Sequence, residues 1–121
     1  MPDQLSFGKE INRFAALCHC RSRDMGWWKD SANQNIGTKL ALIHSEISEA
    51  LEGYRKDLMD DHLPKRPMIE VELADAMIRI GDLAAALNLD LGGAIDEKME
   101  YNRHRQDHKL EVWQQQNGKK F

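Results

Sequence analysis

Between residues 36 and 56 the side chains Leu40, Ile43, Ile47, Leu51 and Tyr54 recur at intervals of three and four, the repeat of one helix face. The spacing predicts a helix from Ile36 to Lys56 whose apolar stripe faces a partner. Upstream, Leu5, Ile11, Phe14, Ala15 and Leu17 make a less regular apolar side and predict a first helix from Leu5 to His19. The polar run RSRDMGWWKDSANQN separates the two, and its asparagines, Asn33 and Asn35, suit the N-cap of the second. In DLMDDHLPKRP, Pro64 and Pro67 stop that helix. Residues Met68 to Leu87 then carry Val71, Leu73, Ala74, Met77, Ile78, Ile80, Leu83 and Ala84 around most of their circumference. Such a pattern belongs to the most buried helix of a bundle and leaves one polar strip. A fourth helix is predicted from Ala94 to Asp107, and the tail LEVWQQQNGKKF reads as irregular. Strand signals are absent, so the expected fold class is all-α, a four-helix-bundle-like single domain over residues 1–121.

Composition narrows the classes. A 121-residue chain with 41% hydrophobic content supports one core. A net charge of -3 argues against a binder of polymeric nucleic acid, which needs a basic face. The charge is unevenly placed: nine acidic residues stand against four basic ones from Leu40 to Asp75, and six basic against three acidic from Lys98 onward. No run reaches the roughly 18 apolar residues of a membrane span, and the polar start lacks a signal peptide's order, so a cytoplasmic protein without a membrane partner is expected. Cys18, His19 and Cys20 lack a second ligand cluster and read as reduced, structural residues.

The candidate chemistry lies on polar strips. Glu46 and Glu49 stand three apart on the second helix, and Glu72 and Asp75 three apart on the third, with 22 residues between the pairs. Residues three apart share a helix face, so side-by-side packing of these helices would converge four carboxylates. They would repel strongly unless a cation neutralised them. Oxygen ligands suit Mg²⁺, with Mn²⁺ as substitute, rather than zinc. One Glu-x-x-Glu is ordinarily a solvated surface; a second pair on the most apolar helix changes the balance. Lys98, Asn102 and Arg105 form a donor face on the fourth helix. Against a metal-loaded cluster it could bind polyphosphate oxygens, and otherwise it is an ordinary wet surface.

Glu46, Glu49, Glu72 and Asp75, set in LALIHSEISEALEGYRK and VELADAMIRIGDLA and followed by KMEYNRHR, resemble the all-α nucleoside triphosphate pyrophosphohydrolases. This is the MazG-like group, related to dimeric dUTPases and dCTP pyrophosphatases. The resemblance covers at least residues 36–105. It implies a MazG-type fold assembled as a homodimer or a dimer of dimers, with the site completed near a subunit interface. It implies cleavage between the α and β phosphates, releasing a nucleoside monophosphate and pyrophosphate. The four carboxylates would hold Mg²⁺, Glu46 or Glu49 would take the proton of the attacking water, and Lys98, Asn102 and Arg105 would steady the phosphates.

Trp27 and Trp28 precede the second helix, where relatives place aromatic groups around the base, and indole stacking is suitable; packing in a core or interface is the other role open to them. Phe7, Phe14 and His44 are further candidates, His44 more as a buried or interfacial residue. Arg79, four residues beyond Asp75, is positioned to pair with it or to reach the substrate, and Asp82 is expected to be structural. A di-iron bundle would need Glu-x-x-His motifs, which the chain lacks. The alternative to an enzyme is a nucleotide-binding or helical dimerisation module.

Overall fold

A computed structural model of the protein describes residues 6–29 and 35–116, with side chains as far as 105. Its four helices are α1 (Gly8–Asp24), α2 (Ile36–Lys56), α3 (Met68–Ala86) and α4 (Leu91–Gln116). The protein is all-α: among the described residues there is no strand, only an isolated bridge between Met59 and Pro67. The α3 helix packs against both α1 and α2, and α4 runs along α1. No described helix is long and apolar enough to cross a membrane.

Local chemistry explains the ends of α2 and α3. The Asn35 side chain accepts a hydrogen bond from the Thr38 amide at 3.0 Å and caps α2; Asn33 lies outside the described residues. Arg55 and Lys56 sit in its last turn, beside the negative end of the helix dipole, and Asp57 closes it in a left-handed conformation, φ 54°. Pro67 occupies the N-cap of α3, where a missing N–H costs no helical bond.

Two expected elements need correction. The first helix begins at Gly8 and continues past His19 to Asp24, because its inward face is Ala15, Cys18 and Ser22, which keep the helical spacing with small side chains. The fourth begins at Leu91, not Ala94, and continues through most of the expected irregular tail to Gln116. Asp90 starts it, its Oδ1 accepting from the Gly93 amide at 2.9 Å and from Asn12 Nδ2 at 2.8 Å.

The inside of the chain is built from small residues. Ala15, Cys18, Ala50, Ala76, Leu83 and Ala84 are its buried apolar side chains, which let helix axes approach closely. The larger ones point away: Leu40, Ile47, Leu51 and Tyr54 of α2, and Leu73, Met77 and Ile80 of α3, are exposed. The central position expected of the third helix is therefore correct, but of its large apolar residues Leu83 is buried within the chain while Leu73, Met77, Ile78 and Ile80 are exposed. The stripe of α2 likewise faces away from its own chain, with Tyr54 68% exposed.

A close backbone approach joins α1 to α4. A Cβ added to Gly92 would fall on the Gly8 carbonyl, and backbone atoms cannot step aside as a flexible side chain can. Gly92→Ala is expected to destabilise the fold by about 3 kcal/mol, read as a lower urea midpoint. An unchanged midpoint would show that α4 is free to shift along α1.

Candidate metal centre

Because α2 packs on α3, the two acidic pairs meet. One carboxylate oxygen from each of Glu46, Glu72 and Asp75 lies within 4.8 Å of the others. Glu46 and Glu72 are buried and Asp75 is half-buried. Glu49 is exposed at the rim, outside this tight group but near enough to act on Glu72. Ala50 and Gly53 of α2 and Ala76 of α3 are buried, and small residues near the carboxylates allow the helices to close on one another.

The electrostatics show what such closure costs. Burial, followed by the adjoining Glu46 and Glu49 carboxylates, pushes the Glu72 carboxyl up to about 8. Its Oε2 is buried and makes no hydrogen bond, an arrangement that costs folding free energy unless another group binds there. Burial also raises Asp75, with Glu46, Asp60 and Glu49 adding to the rise and Arg79 opposing it. Three clustered carboxylates with an unpaired buried oxygen fit a hard divalent cation with oxygen ligands, and lack the nitrogen and sulfur donors zinc prefers. Asp60 has no place in the two sequence motifs. It is buried in the loop between α2 and α3, where its Oδ2 accepts from the His62 and Leu63 amides at 2.9 and 2.8 Å. The sequence sign of this turn is an aspartate ahead of a proline-containing loop.

Arg79 differs from expectation. Its Nε donates to Glu46 Oε1 at 3.2 Å, across the helix pair, rather than pairing with Asp75 on its own helix. Its guanidinium also lies over the Trp27 ring, 5.3 Å from the centroid, within cation–π range. Trp27 borders an apolar cavity of about 480 Å³ with Phe14, Leu17, Cys18 and Ile78. Trp28 turns the other way. Its Nε1 donates to Asp82 Oδ1 and Oδ2 at 2.9 and 3.1 Å, and the Lys39 ammonium sits 4.2 Å from its ring centroid. Asp82 also accepts from Ser22 Oγ at 2.7 Å and from His19 Nδ1 at 2.8 Å. Asp82 has the structural surroundings expected of it. Cys18 and Cys20 are free thiols.

The donor face of α4 is not brought to the carboxylates within the chain. Lys98 lies over Tyr101, 4.6 Å from its ring centroid, in a shallow pocket with Asp90 and Glu97. Among the described residues neither Lys98, Asn102 nor Arg105 forms an ion pair with the cluster. Phe7 and Phe14 border a second apolar cavity, of about 410 Å³, with Met77 and Ile80. His44 is exposed on α2. No family profile, curated protein or solved structure matches this chain.

Proposed function

We propose that the protein is a Mg²⁺-dependent nucleoside triphosphate pyrophosphohydrolase of MazG type, acting as a homo-oligomer. The observation that carries this reading is the convergence of Glu46, Glu72 and Asp75 within 4.8 Å, together with a buried, unpartnered oxygen on Glu72. A surface decoration has no reason to crowd carboxyls in this way, because burial and the neighbouring carboxylates hold Glu72 up to about 8, a cost that a bound cation would relieve.

In this reading Glu46, Glu72 and Asp75 hold the metal and Glu49 completes the set. When bound, Mg²⁺ neutralises phosphate charge and lowers the pKa of a water. Glu49 is exposed at the rim, whereas Glu46 is engaged by Arg79, so Glu49 is the better placed base. It takes the proton as the water oxygen bonds to the α phosphorus. The bond from that phosphorus to the bridging oxygen breaks, and pyrophosphate leaves with the electron pair. Lys98, Asn102 and Arg105 reach the phosphates from another copy of the chain, since their own chain holds them apart from the cluster. The exposed apolar residues of α2 and α3 supply the surface that such a copy would cover.

Those exposed faces alone would also suit a non-catalytic dimerisation module, which the buried carboxylate does not favour. The test is pyrophosphate release from deoxynucleoside and ribonucleoside triphosphates with and without Mg²⁺ or Mn²⁺, in wild type, Glu49→Gln and Asp75→Asn. Metal-dependent release is expected, lost by at least about a hundredfold in both variants with the oligomer intact. Orthophosphate in place of pyrophosphate, or a near-wild-type rate in either variant, would remove the assignment.

A further inference from the structure

The polar strip of α3 continues beyond the acidic pair: Glu72, Asp75 and Arg79 follow at intervals of three and four and so share a face. From the opposite helix Glu46 meets both parts of that strip. It belongs to the carboxylate group with Glu72 and Asp75 and receives the Arg79 Nε at 3.2 Å. The pair is sheltered, the side chains of Arg79 and Glu46 being 28% and 11% exposed, so solvent and salt weaken it less than a surface pair. Beyond Glu46 the guanidinium has the Trp27 ring at 5.3 Å, a flat surface along which it can slide without losing cation–π attraction.

We propose that Arg79 is an internal cation that competes with the divalent metal for Glu46 and, once displaced, becomes a binding group for the substrate's phosphate. The inference rests on the pyrophosphohydrolase reading of the carboxylate cluster. A dication and a guanidinium cannot both stay close to one carboxylate without mutual repulsion. With Glu46 committed to the metal, Arg79 needs another anion. A polyphosphate bridging the same metal is the anion nearest to hand, and its oxygens match the guanidinium's planar donors. Arg79 thereby weakens metal binding before the substrate arrives and strengthens the complex afterwards. Trp27, stacked on the moving group, reports the exchange.

The two effects have opposite signs, which a purely structural ion pair would not produce. Mg²⁺ titration by calorimetry is expected to show Arg79→Gln binding the ion about tenfold or more tightly than wild type. With the triphosphate found best for the wild type, the same variant is expected to raise KM about tenfold or more. Mg²⁺ alone should change tryptophan emission in wild type, with the change lost in Trp27→Phe and in Arg79→Gln. An affinity for Mg²⁺ that is unchanged or weaker in Arg79→Gln, with helical circular dichroism intact, would overturn the proposal and leave Arg79 a structural partner. If Arg79→Gln fails to fold, Arg79→Lys decides: a Mg²⁺ affinity near wild type with a raised KM supports the exchange, and an unchanged KM overturns it. Absence of Mg²⁺ binding in wild type and variants alike would bring down the metal reading itself and this inference with it.

Discussion

Glu72→Gln is expected to stabilise the cation-free protein at pH 8 and to abolish metal-dependent turnover. The first effect follows from a carboxyl held up to about 8 by burial and by Glu46 and Glu49, and the second from removal of a ligand of the proposed metal site. The unfolded chain releases this proton near 4.5, so between those values the folded state holds a proton that the unfolded state has lost. Stability from this group is therefore fully present below about 4.5 and is lost as pH rises through about 8, with a slope approaching 1.4 kcal/mol per pH unit at most. Glutamine keeps the shape of the neutral acid and removes that loss. The melting temperature of wild type in EDTA should fall relative to the variant as pH is raised from 5 to 8. Asp75, whose pKa is also raised, contributes the same sign to both proteins and largely cancels in the comparison. With Mg²⁺ present the order reverses. Metal binding must expel the Glu72 proton, so wild-type affinity rises with pH up to about 8, and the variant has lost that ligand. More than about a hundredfold loss of turnover is expected, since even groups that only orient ligands are worth ten- to a hundredfold. A difference in melting temperature that ignored pH would show that Glu72 is ionised in the folded protein. Retained turnover would show that it is not a ligand.

How far the sequence foretold this arrangement depended on which side chains carried the signal. The bounds of α2 were legible because capping asparagines, an apolar repeat and the downstream Pro64 and Pro67 agree on the same segment. So was the meeting of Glu46, Glu72 and Asp75, since spacing of three fixes a face and the short connection forces α2 against α3. The inward face of α1 was not legible from its large residues. Phe14 and Leu17 are exposed, while Ala15, Cys18 and Ser22 are buried, so the strongest apolar signal marked the outside. Ser22 in particular reads as loop material, and its burial depends on an acceptor, Asp82, 60 residues away. Arg79 shows the same limit. The acid its spacing pointed to is Asp75, four residues earlier on the same helix, but the choice of Glu46 is made by helix packing, which no spacing within one helix can express. The donors of α4 illustrate the converse: Lys98 and Asn102 were expected beside the phosphates, yet neither forms an ion pair or hydrogen bond with the cluster among the described residues of a single chain.

Asp82→Ala is expected to be the most damaging single substitution outside the carboxylate cluster. Asp82 is 4% exposed and accepts from His19, Ser22 and Trp28, joining α1, α3 and the segment that follows α1. Truncation leaves the His19 and Trp28 donors facing a space with no acceptor and confines Ser22, 1% exposed, to its longer bond to the His19 carbonyl at 3.2 Å. An unsatisfied buried donor costs about 1–3 kcal/mol, so a total of about 4 kcal/mol is expected in urea unfolding, allowing for relaxation around the half-buried His19 and Trp28. Asp82→Asn keeps an acceptor oxygen and the side-chain shape, and should cost about 1–2 kcal/mol. A double-mutant cycle with Trp28→Phe should show positive coupling, because the second change adds little once the acceptor is gone. A cost below about 1 kcal/mol for Asp82→Ala would mean that water replaces the carboxylate and that the network does not pin the fold. The functional consequence follows from chain geometry. Trp28 is tied to Asp82, and its neighbour Trp27 lies against Arg79, which holds Glu46. Loosening Trp28 therefore disturbs Glu46, a ligand in the proposed reading, through two contacts, so Asp82→Asn should change the Trp27 emission and weaken the proposed turnover although Asp82 lies outside the carboxylate cluster.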